Sequence, residues 1–215
     1  MQRGFCTDRQ TPISPSSVMK LQFLQLFLTV FATAEKIPDF VVPGKCPNVD
    51  EDKLWQEQKP NHSKFGGVWY EFSLINNPYQ LIDKCVRNEF KFDGQQFEVT
   101  ETGLTAEGHL LKRKGTMYPS TFGEPHWTMD MENAAAGPVV ILETDYDNYA
   151  CLYTCLDVRY GYEVEFAFIM SRSPTPAEEY VWRCEKVFKD LDVDASSFKK
   201  TIQGSSCPYD TQKSL

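Results

Sequence analysis

The chain has 215 residues, with 22 Lys+Arg against 30 Asp+Glu and a formal net charge of −8 at pH 7, so it lacks the basic face that gives sequence-independent affinity for nucleic acid. Hydrophobic residues at 41% and aromatics at 13%, with 15 Phe, 10 Tyr and 4 Trp, rule against disorder, because that much apolar surface offsets the ordering entropy of a folded domain. One domain is the expectation at this length.

Met19 and Lys20 lead into the apolar run 21–31, followed by Ala32-Thr33-Ala34. A cationic start, an apolar stretch too short to span a bilayer and an A-x-A site predict a secretory signal peptide over 19–34. Residues 1–18 then read as an upstream extension and 35–215 as a single domain. Cleavage leaves 181 residues with 19 Lys+Arg against 29 Asp+Glu, a net charge of −10. It also removes Cys6, leaving Cys46, Cys85, Cys151, Cys155, Cys184 and Cys207, an even number suited to three disulfides in an oxidising compartment. Six cysteines allow fifteen pairings, and spacing does not choose among them. Zinc is disfavoured, since only Cys151 and Cys155 are close in sequence and no His lies near them.

Asn61-His62-Ser63 is a glycosylation sequon in an exposed loop ahead of the first strand. From there the apolar pattern has a period of two and predicts eight strands, at 67–75, 85–92, 96–102, 109–117, 125–131, 139–145, 149–158 and 162–170. Turns at Asp93-Gly94, Thr102-Gly103, residues 133–138, Asp147-Asn148 and Tyr160-Gly161 separate them. No spacer is long enough for a crossover helix, so the neighbours are antiparallel. After the last strand, Thr175 as N-cap, Pro176 at the first helical position and Glu178 form a capping box. Ala177, Tyr180, Val181, Cys184, Val187, Phe188 and Leu191 then recur at three- and four-residue steps, giving a helix of about four turns with one apolar face. The fold class is therefore all-β with one C-terminal helix on the outer wall. Its core is an eight-stranded antiparallel up-and-down β-barrel, with room inside for side chains or one small ligand.

Gly67-Val68-Trp69, Thr144-Asp145-Tyr146 and Arg172 together resemble the G-x-W, T-D-Y and late-Arg signatures of the lipocalins. The resemblance implies structural roles: the Trp closes the barrel floor, and the Arg stacks on it while bonding nearby carbonyls. More narrowly, residues 37–46, 76–80, 122–126 and 203–210 resemble the A-type subunits of the crustacyanins, secreted crustacean lipocalins that bind the carotenoid astaxanthin and turn it blue. This resemblance implies the pairing Cys46 to Cys155, Cys85 to Cys207 and Cys151 to Cys184. Cys151 and Cys155 agree with it, being an even step apart on one strand and too far apart to bond each other. It also implies an extracellular location in exoskeleton or epidermis, a second crustacyanin-type lipocalin as partner in a heterodimer and larger oligomers, and no membrane span.

A barrel of this size takes in one end ring of a long polyene, and a second subunit would cover the apolar chain that emerges. On the second predicted strand, alternation places Asn88 on the apolar face with Val86, Phe90 and Phe92. On the fifth, His126, Thr128 and Asp130 share a face, and the family resemblance assigns the His position to a keto oxygen through water. The ligand candidates are His126 first and Asn88 second, then Thr128, with Tyr70, Glu71, Phe90 and Met131 as further lining. Phe90 and Met131 stand where the family pattern carries Tyr, so two hydroxyls are gone. Other expectations are a carrier of a bilin, retinoid or fatty acid, or a haem site at His109 or His126. An enzyme is disfavoured, because disulfides consume all six cysteines and no Ser/His/Asp order or phosphate loop stands out.

Overall fold

The computed structural model describes residues 41–49, 61–77, 79–121 and 125–210. The predicted signal peptide at 19–34, the extension at 1–18 and residues 122–124 before His126 lie outside the described residues. In chain order the elements are β1 (Val41–Pro43), α1 (His62–Phe65), β2 (Gly67–Ile75), β3 (Lys84–Phe92), β4 (Phe97–Leu104), β5 (Leu110–Pro119), β6 (His126–Met131), β7 (Gly137–Thr144), β8 (Tyr149–Val158), β9 (Tyr162–Ser171), α2 (Glu178–Asp190), a 3-10 turn (Ala195–Ser197) and β10 (Phe198–Lys200).

Each of β2 to β8 pairs antiparallel with the next, and β9 pairs back onto β2 through Tyr70 opposite Ser171 and Leu74 opposite Phe168. That last pairing closes the meander into the predicted eight-stranded barrel and leaves no free edge between first and last strand. Two three-residue strands extend it: β1 lies along the start of β9, and β10 along the end of β2. Neither has enough residues to show a period, which is why the sequence pattern missed them.

Two local expectations are corrected. Thr102-Gly103 is not a turn. Gly103 lies inside β4 opposite Leu111, and a Cβ there would sit 2.3 Å from Ile82 Cγ2 and 2.7 Å from the Lys84 carbonyl, so the glycine serves a close approach of the chain. The capping box does not form either. The N-cap of α2 is Ala177, with extended backbone and no side-chain cap bond, so the helix starts two residues later than the capping box requires. Ser173 Oγ instead accepts from Thr175 N and donates to the Thr175 carbonyl, both at 3.2 Å. Glu178 and Glu179 still occupy the first turn, where the helix dipole favours acid.

The predicted face of α2 packs as expected: Cys184 and Phe188 are buried, and Tyr180, Val181, Val187 and Leu191 pack around them against the outer wall. Three disulfides form, Cys46–Cys155, Cys85–Cys207 and Cys151–Cys184. The first ties the N-terminal segment to β8, the second the C-terminal segment to β3, and the third α2 to β8. Among the described residues no helix is long and apolar enough to cross a membrane.

Candidate ligand-binding site

One end of the barrel is filled. Phe65, Trp69, Phe90, Phe97, Met117 and Trp127 form the buried centre of a floor, with Phe65 stacked on Trp69 at 5.2 Å between centroids and edge-on to Phe90 at 5.1 Å. Beneath it, the Arg172 guanidinium lies 3.6 Å from the Trp69 ring centroid. Arg172 donates to the carbonyls of Val68 at 2.8 Å, of Tyr146, Lys64 and Gly66 at 2.9 Å, and of Phe65 at 3.4 Å. Trp69 Nε1 donates to the Phe65 carbonyl at 2.8 Å. Thr144 Oγ1 donates to the Tyr149 carbonyl and accepts from Tyr146 N, while Asp145 Oδ1 accepts from the backbone N–H groups of residues 147, 148 and 149. Burial works against the Asp145 carboxylate, yet these bonds and that from Asn148 Nδ2 hold it below its ordinary range. Gly67, with φ of +97°, lets the chain enter β2 against Arg172.

Above this floor the barrel is hollow, with a cavity of about 290 Å³. Phe90, Met129, Leu152, Phe168 and Met170 supply its apolar wall; Glu71, Gln80, Asn88, Glu101 and Arg113 gather on a polar one. Of the predicted ligand residues, Asn88, Phe90, Glu71 and Met131 line this cavity. Alternation separates the other three. On β2 the inward set contains Trp69 and Glu71, so Tyr70 faces out, edge-on to Tyr209 at 5.2 Å. On β6, Trp127 packs in the floor and Met129 and Met131 line the cavity, which puts His126 and Thr128 on the opposite face.

His126 instead lines a separate outer hollow of about 510 Å³ with Asn48, Val140, Tyr153 and Cys155. His109 is exposed, so neither histidine of the haem reading lines the barrel cavity. Cys46, Cys155 and Glu163 converge near that hollow, but the two sulfurs are bonded to each other and offer no thiolate to a metal. Asn61 is exposed and caps α1, its Oδ1 accepting from Lys64 N at 3.1 Å.

The polar wall holds three ionisable groups for which the sequence offered only Glu71. Glu101 and Arg113 are direct cross-strand partners of β4 and β5, paired at 3.1 Å and both nearly buried. Burial raises the Glu101 carboxyl above its ordinary range, although Arg113 pulls it down. Arg113 also donates to the Tyr79 carbonyl at 3.2 Å and, through Nε and Nη2, to the Glu132 carbonyl at 3.0 and 2.7 Å. It thereby ties the β2–β3 loop and the β6–β7 loop to the barrel wall. The inward alternation Phe97, Val99, Glu101 was the available sign, an acid on an otherwise apolar face.

Residues 66–204 match the lipocalin / cytosolic fatty-acid binding protein family. The chain is 61% identical over 181 residues to the crustacyanin-C1 subunit of Homarus gammarus and 60% identical over 181 residues to the crustacyanin-A1 subunit of the same animal. In each case the match spans 84% of this chain and all of the relative. The crystal structure of lobster apocrustacyanin A1 superposes with a TM-score of 0.79 at 60% identity, over 84% of this chain and the whole of that one.

Proposed function

The chain belongs to the lipocalin family, and from that premise we propose that it is a secreted carotenoid carrier that seats one end ring of astaxanthin in its barrel and shifts the pigment's absorption to longer wavelength, turning it blue. As a lipocalin it is a binding protein and not an enzyme. The observation that carries the reading is the cavity: an apolar cup with one polar wall, in a chain about 60% identical to two crustacyanin subunits along their whole length. The apolar side takes the ring and the first double bonds. Asn88, Glu71 and their neighbours face the ring's keto and hydroxyl oxygens, Phe90 and Met131 its hydrocarbon edge. Stabilising the keto oxygens more in the excited state than in the ground state moves absorption to longer wavelength.

The 181 residues of the match equal the length left by cleavage after Ala34, which supports export through a signal peptide over 19–34, with residues 1–18 upstream of it. A second crustacyanin-type lipocalin covers the emerging polyene, and such pairs assemble further. Asn61 carries a glycan on the exported chain, read as a mass loss on glycosidase treatment.

Mixing the purified chain with astaxanthin, alone and with a candidate second subunit, and recording the visible spectrum tests the whole reading. A band moved to longer wavelength supports it, and an unchanged pigment spectrum with no quenching of tryptophan fluorescence overturns it. Extracting the native protein separates the alternatives, because a bilin, retinoid or fatty acid in place of a xanthophyll would assign the cup to another carrier role.

A further inference from the structure

The β2–β3 loop lies across the open end of the cup. Its shape is set locally. Asn77 is buried; its Oδ1 accepts from Tyr79 N at 3.0 Å and its Nδ2 donates to the Ile75 carbonyl at 3.4 Å. Gln80 N donates to the Asn77 carbonyl at 3.3 Å, and the Ile82 side chain is buried beneath. Tyr79 is the residue that spans. Its carbonyl accepts from Arg113 Nη1 on β5 at 3.2 Å, while its ring stands edge-on to Phe166 of β9 at 6.2 Å between centroids. Around the closed ring of β2 to β9, three strands separate β5 from β9 in either direction. The two anchors therefore stand on opposite walls, and the exposed residue between them crosses the opening. Tyr79, Arg113 and Phe166 all line the cavity.

Arg113 has the shape to hold this bar. It is 5% exposed, and Glu101 at 3.1 Å fixes its guanidinium against the wall. Nε and Nη2 turn to the Glu132 carbonyl, which leaves Nη1 to serve Glu101 and Tyr79. The β6–β7 turn is also tied to β5 in its own right, since Glu132 N donates to the Lys114 carbonyl and Glu132 Oε2 accepts from Lys114 N, both at 2.9 Å. The β2–β3 loop meets β5 through the Tyr79 carbonyl, so the bar is where the guanidinium matters most.

We infer that Arg113 is a positioning residue that holds Tyr79 as a bar across the open end, so that an end ring enters or leaves only while the Arg113–Tyr79 bond is open. This gating rests on the carotenoid reading of the cup. The end ring is wider than the polyene behind it. Once the ring is seated, the chain runs out between Tyr79 and Leu156 and the bar returns to its place. The bond is thus made in both the empty and the loaded protein and broken only on the way between them. An interaction lost only in the transition state slows entry and exit by the same factor and leaves affinity unchanged.

The test uses the purified exported chain and stopped-flow tryptophan quenching, with astaxanthin associating from solution and dissociating into an excess of phosphatidylcholine vesicles. Arg113→Lys keeps a cation beside Glu101, which avoids stranding a buried carboxylate, but its one nitrogen cannot serve that acid and carbonyls of two loops at once. Association and dissociation rates should both rise about tenfold, the worth of one hydrogen bond from a charged donor, with Kd held within about twofold. Tyr79→Ala deletes the exposed ring and leaves the buried ion pair alone; it should also raise the association rate, and it carries the test should the Lys form fail to fold. Arg172→Met is the control for lost stability, because it loosens the floor far from the opening, and its rates should stay within about twofold. An association rate unmoved by Arg113→Lys, or raised as much by Arg172→Met, overturns the role of Arg113 and leaves the carrier reading intact. A rise in dissociation alone overturns it too. Failure of the unsubstituted chain to bind astaxanthin overturns both together.

Discussion

Replacing Arg172 by Met separates what holds the barrel from what fills it. The guanidinium is half-buried, stacks on Trp69 at 3.6 Å and donates to five carbonyls between 2.8 and 3.4 Å. The stacking contributes about 1 kcal/mol, and each good bond from a charged donor about 1 to 2. These terms do not add fully, since water reaches part of the site and resolvates some carbonyls. The expected loss is about 3 to 5 kcal/mol, or roughly 10 °C in Tm for a domain of this length. Urea unfolding of the oxidised protein, followed by near-UV circular dichroism, measures it. Arg172→Lys keeps the charge but cannot serve carbonyls on both sides of the ring, so it should recover less than half of the loss. Neither Arg172 nor Trp69 lines the cavity, so carotenoid affinity of the folded variant should stay within about twofold of the unsubstituted protein. A stability loss under about 1 kcal/mol for the Met form, or a Lys form as stable as Arg, would refute the assignment of this residue as the clasp of the floor.

The Cys151–Cys184 bond spans 33 residues and pins α2 to β8, so the double substitution to Ala should cost about 3 to 4 kcal/mol in urea unfolding; an unchanged midpoint would mean that packing of Phe188 and its neighbours holds the helix unaided. Phe90→Tyr and Met131→Tyr each place a hydroxyl in the cavity, and both should move the bound-pigment band further to the red, an expectation that fails if neither spectrum changes. Glu71 also makes stability depend on pH. Burial raises its folded carboxyl to about 8 from an ordinary 4.5, so the native state holds a proton that the unfolded state releases between those values, and stability falls as pH rises through that window. The decline should amount to a few kcal/mol, be complete above about pH 8 and be absent from Glu71→Gln; equal slopes for the two proteins would show that the carboxyl is ionised in the native state.

The barrel was legible because alternation survives burial: the eight long strands keep an apolar inward set, and their boundaries moved by only one or two residues. What failed was local chemistry that depends on distant neighbours. Gly103 reads as a turn residue until Ile82 and the Lys84 carbonyl are seen against it. Thr175 reads as a cap until Ala177, with extended backbone and no side-chain bond, is seen to hold the cap position. For the site, the pattern of β6 showed correctly that His126, Thr128 and Asp130 share a face. The apolar company of Trp127, Met129 and Met131 on the other face was the sign that the histidine points out. Glu101 and Arg113 escaped notice because a charge inside a barrel becomes credible only when its partner is found, and here the partner lies on the next strand, directly opposite.

The size of the cup argues for a shared ligand. At about 290 Å³ it falls at the lower bound of sites that enclose a whole drug-sized molecule, which run from about 300 to 1,000 Å³, and a carotenoid with two end rings is longer than such a molecule. On the proposed carotenoid reading, one ring and the adjoining double bonds would fill the cup and the remainder would leave past Tyr79 and Leu156, which line the cavity and are exposed at 39% and 36%. Further along the β8–β9 hairpin, Val158 and Tyr160 are exposed at 40% and 93%. Bare polyene beside these side chains makes one continuous apolar surface, and removing such a surface from water drives association. On this reasoning pigment and partner bind cooperatively. The second subunit should associate more tightly with the loaded chain than with the empty one, and Tyr160→Asp together with Val158→Asp should weaken that gain while leaving the first ring seated.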